Sequence, residues 1–157
     1  MTTSSFRVEA FDVCEYMTTD AERRPILAGM FFGEIRFSDR PRTFPAMNFN
    51  LVVAPNKKQF SFVASYELSE TEFITKFVVK IDGQDEPTPA NRLIMGWATP
   101  EMPLEKIGEY KLVIREEGSI VFERPLPLVF GPVTPFTPVV SASIEMGGVS
   151  GMRSFPA

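Results

Sequence analysis

Between Asn48 and Ile81 apolar and polar side chains alternate with a period of two. Phe49, Leu51 and Val53 alternate with Asn48, Asn50 and Val52. Phe60, Phe62, Ala64, Tyr66 and Leu68 alternate with Ser61, Val63, Ser65 and Glu67. Phe73, Thr75, Phe77, Val79 and Ile81 alternate with Ile74, Lys76, Val78 and Lys80. Successive side chains of a strand point to opposite faces, so this pattern predicts three strands, each with one buried face. Phe6 to Cys14 predicts an earlier strand and Leu93 to Ala98 a later one. Ile26 to Phe37 is apolar on both alternations, as in a strand covered on both faces. The clearest hairpin runs from Tyr110, Leu112 and Ile114 through Glu116-Glu117-Gly118-Ser119 to Ile120 and Phe122, with Pro125 and Pro127 stopping the return strand.

Connections carry turn chemistry. Tyr16 to Pro25 is polar and ends in Arg23-Arg24-Pro25, and Ser38 to Pro45 and Asp82 to Asn91 each hold two prolines. No long stretch fits the helical period, and Pro100 to Ile107 predicts at most one helical turn. The expected fold is all-β: an antiparallel two-sheet sandwich, immunoglobulin-like, of about eight strands. Residues 1–130 form the sandwich domain. Residues 131–157 form an apolar, Pro/Gly-rich tail, partly mobile or docked on a neighbour, in which Val139 to Met146 could be a short strand.

Tyr110 follows Gly108 by two residues and precedes an alternating strand, the placement of a tyrosine corner in immunoglobulin-like sandwiches. A plain core tyrosine is the alternative. Four segments, Phe11-Asp12-Val13-Cys14, Ile26-Leu27-Ala28-Gly29-Met30-Phe31, Phe49-Asn50-Leu51-Val52-Val53 and Gly108-Glu109-Tyr110, follow in an order that resembles a family of small bacterial proteins of unknown function with an immunoglobulin-like sandwich. The resemblance spans about Phe6 to Leu128 and implies the fold. It brings no functional residue with it.

Composition narrows the function. The chain has 157 residues and a formal charge of −4, which repels a phosphate backbone and argues against nucleic acid as a partner. There is no histidine, so no Ser-His-Asp or Cys-His relay and no histidine-ligated metal site can form within the chain. Cys14 is the only cysteine. It reads as a buried structural thiol in a chain suited to a reducing, bacterial-type cytoplasm. No run reaches the length of a membrane span.

Three groups remain as candidates for chemistry. Glu67, Glu70 and Glu72 surround a predicted turn, and two neighbouring carboxylates could raise one pKa; a solvated hairpin tip is the favoured reading. Asp82, Asp85 and Glu86 could offer oxygen ligands to a hard cation, but without EF-hand spacing they read as a polar turn around Gly83. Trp97 could be a sugar-stacking platform, yet its neighbours Ile94, Met95 and Ala98 favour a core position. Gly147, Gly148 and Gly151 lack the strand–loop–helix context of a phosphate loop.

No catalytic, cofactor-binding or metal-binding residue is assigned, and no cofactor is expected. The expected function is a non-catalytic interaction or structural domain, a homo-oligomer or bound to a protein partner through a sheet edge and the tail. The alternatives are a small-molecule or glycan-binding module and a carboxylate- or metal-dependent enzyme.

Overall fold

A computed structural model describes residues 4–37, 42–83, 86–132 and 141–145, together with the backbone of 152–156. Fourteen strands and no helix occur among the described residues. In chain order they are β1 (Phe6–Thr19), β2 (Pro25–Met30), β3 (Ile35–Phe37), β4 (Thr43–Phe44), β5 (Met47–Pro55), β6 (Gln59–Glu67) and β7 (Phe73–Asp82). There follow β8 (Leu93–Thr99), β9 (Met102–Pro103), β10 (Lys111–Glu116), β11 (Ser119–Pro125), β12 (Leu128–Phe130), β13 (Ser141–Glu145) and β14 (Met152–Pro156). Having no helix, the described part has none long and apolar enough to cross a membrane.

Eight of these strands build two four-stranded antiparallel sheets, ordered β2-β1-β5-β8 and β11-β10-β6-β7. The alternating rows face each other as the period-two pattern requires. Phe11, Val13, Phe49, Leu51 and Val53 from the first sheet meet Phe60, Phe62, Ala64, Tyr66, Leu112 and Ile114 from the second in one continuous core. Aromatic contacts tie the layers together. The Phe6 ring lies 4.7 Å from that of Phe62, and the Trp97 ring stacks on Phe49 at 5.1 Å and on Phe77 at 4.6 Å. This is the two-sheet antiparallel sandwich expected from the sequence.

Short pairings close the ends. β3 runs parallel to β12, with Ile35 opposite Leu128, and β4 pairs with β9. Tyr110 is buried, and its hydroxyl donates to the Lys106 carbonyl at 2.9 Å, the upstream backbone bond of a tyrosine corner. Tyr66 does the same across the chain, donating to the Leu126 carbonyl at 2.6 Å.

Several local expectations are corrected. Tyr16 to Thr19 is not loop: β1 continues to Thr19 and pairs with β2, and the reversal is confined to Asp20–Arg24. Asp20 organises that turn by accepting from the backbone N–H groups of Glu22 and Arg24. Ile26 to Phe37 is two strands in different sheets, broken around Gly33 at φ 77°. It is not covered on both faces, since Ile26 is 47% and Phe32 71% exposed. Pro100 to Ile107 contains β9 and no helical turn. Within the Val139 to Met146 window the expectation of a short strand holds: Ser141–Glu145 is a strand, paired with β14.

Candidate functional site

The carboxylates singled out from the sequence do not converge. Glu67 is the correction: it is fully buried at the end of β6 and is no part of a solvated tip. Its pairing neighbour on β10 is Lys111, yet the salt bridge goes to Arg115, four residues farther along. The Arg115 side chain therefore runs back along the outer face of the second sheet, past the Ser65–Val113 pair, to grip both carboxylate oxygens. Ser65 Oγ also donates to Glu67. Burial pushes the Glu67 carboxyl up, but the hydrogen bonds from Arg115 and Ser65 and the nearby positive charge outweigh it, so the group stays below its ordinary value. Glu72 instead pairs with Lys106 at 2.5 Å, and the Glu70 backbone carbonyl accepts from Lys76.

The acidic loop is divided as well. Asp82 accepts from Gln59 at 2.8 Å, and Glu86 pairs with Lys58 at 3.0 Å. Asp85 lies outside the described residues, as do Gly147, Gly148 and Gly151. No cluster of three metal-ligating side chains occurs among the described residues. Trp97 is half-buried between two phenylalanine rings and donates its indole N–H to Thr75 at 3.2 Å, so it is a packing residue at the β7–β8 side of the sandwich. Cys14 is buried, and burial pushes its thiol up, the opposite of what a nucleophile needs.

A concavity of about 420 Å³ lies at one end of the sandwich and is lined by Lys57, Gln59, Lys80, Asp82, Glu116 and Glu117. Two of its acids, Asp82 and Glu116, are already occupied. Ser4 Oγ and the Ser5 N–H donate to Glu116. Burial acts to raise the Glu116 carboxyl, and the hydrogen bonds from Ser5 and Ser4 prevail, holding it low. A carboxylate kept ionised in this way anchors the N-terminal segment and cannot donate a proton near neutral pH.

No family model and no curated protein matches the chain.

What sequence reasoning missed is the outer face of the second sheet. Its edge strands, β7 and β11, carry exposed apolar side chains: Phe73 and Val78 on one, Ile120 and Val121 on the other. Pairing places Val78, Val63, Arg115 and Ile120 in one row across all four strands. Beside that row a concavity of about 270 Å³ is lined by Val63, Val78, Lys76, Arg115 and Glu70. One register shift completes the row, and a second turns Phe73 outward beside it. The shift after Ile114 sets Ile120 opposite Arg115, and the shift after Tyr66 sets Phe73 opposite Glu67. Both apolar residues thereby turn away from the core.

Proposed function

We propose that this chain is a non-catalytic β-sandwich interaction domain that associates with a second copy of itself through the outer face and edges of the β11-β10-β6-β7 sheet. The observation that supports the reading is the row Val78, Val63, Arg115 and Ile120, whose two ends are exposed apolar side chains: Val78, 73% exposed, on one edge strand and Ile120, 48% exposed, on the other. The outer face of an antiparallel sandwich is ordinarily polar. Edge strands are usually guarded by charge or proline, and exposed apolar side chains on both edge strands are the pattern of a face that another sheet covers. A face of this kind pairs with its own copy about a two-fold axis, because each row then meets the same row. The lone buried thiol suits a reducing compartment such as the cytoplasm, and the sandwich with its Tyr110 corner agrees with the bacterial immunoglobulin-like resemblance.

Light scattering coupled to size exclusion tests the reading. The full chain is expected to run as a dimer at about 100 μM, and Val78→Lys with Ile120→Lys as a monomer with an unchanged far-ultraviolet spectrum. A monomeric wild-type chain, or a dimer indifferent to both substitutions, overturns it.

A further inference from the structure

A second concavity, of about 350 Å³, lies on the opposite side of the sandwich, on the outer face of the first sheet. Its walls are the end of the β1–β2 hairpin, with Met17, Thr18, Thr19, Arg23 and Pro25, and the sheet itself, with Asn50, Ile94, Met95 and Gly96. The size falls at the lower end of small-molecule sites, about 300–1,000 Å³.

Three features make it more than a crevice. Asn50 sits on the central strand β5, between Asp12 and Gly96, and is only 3% exposed. Its Oδ1 has no hydrogen-bond partner among the described residues. A buried amide oxygen without a donor is costly, and where it borders a cavity the missing donor belongs to something that enters. Gly96 leaves the floor of the sheet bare, and the Met17 methyl group occupies the space above it: a Cβ on Gly96 would come within 2.3 Å of Met17 Cε. Methionine is unbranched and flexible, so this cover can move aside. At the rim, Arg23 holds a left-handed backbone, φ 63°, and makes no ion pair among the described residues, whereas its neighbour Arg24 is tied to Asp20.

We propose that this cavity binds a small aliphatic carboxylate that also carries a hydrogen-bond donor. The donor satisfies Asn50 Oδ1, the aliphatic body packs on Met17 and Ile94, and the carboxylate meets Arg23. The chemistry excludes bulky or cationic ligands. A site of this volume takes about a dozen heavy atoms, the size of an N-acylated amino acid.

The probe is N-acetyl-L-leucine, titrated into the ¹⁵N-labelled full chain and followed by amide shifts. Saturable shifts centred on Gly96, Thr19 and the Asn50 side-chain amide are expected, with Kd near about 1 mM, as ordinary ligand efficiency gives at that size. N-acetyl-L-leucinamide lacks the carboxylate and 4-methylpentanoate lacks the donor, and each should bind about tenfold more weakly or worse. Arg23→Gly relieves the left-handed backbone and should fold at least as well as wild type while losing the preference for the acid over the amide. Asn50→Leu removes the orphaned oxygen and should lose the preference for the N–H-bearing probe. The proposal is overturned by an absence of shifts at about 10 mM probe, by shifts centred elsewhere, or by equal binding of all three compounds.

Discussion

At the level of single residues, the backbone of the β10–β11 turn is the sharpest feature. Glu117 at φ 52° and Gly118 at φ 81° both lie in the left-handed region, as a two-residue hairpin turn of the right twist demands. Glycine adopts that region freely, and glutamate stands roughly 1 kcal/mol above its preferred state there. Glu117→Asn should therefore stabilise the chain by about 0.5–1 kcal/mol. Glu117→Gln removes the same charge without relieving the backbone, so it should not. A urea midpoint that rises for Asn and Gln alike would assign the gain to charge instead. The two tyrosines make a second pair of expectations. Tyr110→Phe removes the hydroxyl bond to Lys106 and should cost about 0.5–1.5 kcal/mol. Tyr66→Phe strands the Leu126 carbonyl deep in the core and should cost more, about 1–3 kcal/mol. Equal midpoints for the two would contradict this ranking.

Among the elements, β6 and β10 hold the buried Glu67–Arg115 pair, and its energetics have a definite sign with pH. The folded-state carboxyl lies below its ordinary value of 4.5. The stabilisation it supplies is present above that value and is lost as pH falls through the lower, folded one. Glu67→Gln should thus be most damaging at neutral pH, with the gap to wild type closing below pH 4.5. Arg115→Met leaves the buried carboxylate unpaired and should cost about 3–5 kcal/mol, while adding Glu67→Leu to it restores much of the loss. Urea melts of the singles and the double give the coupling, and a pH-independent gap between wild type and Glu67→Gln would remove the ion pair from the account. Glu67 also shows where sequence legibility ended. Strands such as Met47–Pro55 and Gln59–Glu67 could be read directly, because burial follows the alternation of their own side chains. Glu67 occupies a polar phase of that alternation and reads as solvent-facing. Its burial depends on an arginine 48 positions away, which no local pattern reports. Ile120 and Phe73 failed for a related reason: one extra residue in a strand turns the following side chains to the other face. Ile26 to Phe37 misled because its apolar residues divide between two sheets at Gly33. Asn50, the residue on which the small-molecule site depends, sits in the polar phase of β5 in a row that looks ordinary until the hairpin end is placed over it.

For the molecule as a whole, the described core lies ahead of the tail. Among the described residues, every buried member of the core cluster lies between Phe6 and Leu128. The two sheets are held at both sides, by Trp97 against Phe77 and Thr75 on one and by Arg124 reaching Asp12 at 3.4 Å on the other. The tail differs in kind. All five side chains of β13 are exposed, and among the described residues β13 pairs with β14 alone. A two-stranded ribbon by itself is marginally stable in water, and both its edges are open to further strands. A chain ending at Phe130 should therefore fold with the same cooperativity and, at high dilution, the same Tm as the full chain. Concentration separates the two forms. An interaction made only by the folded state raises Tm with protein concentration, by mass action. If the ribbon adds to the self-association proposed for the second sheet, the full chain's Tm should climb more steeply between about 1 and 100 μM than that of the shortened one. Parallel slopes would leave association to the sheet face alone, and a lower Tm for the shortened chain at every concentration would place the tail within the folded core.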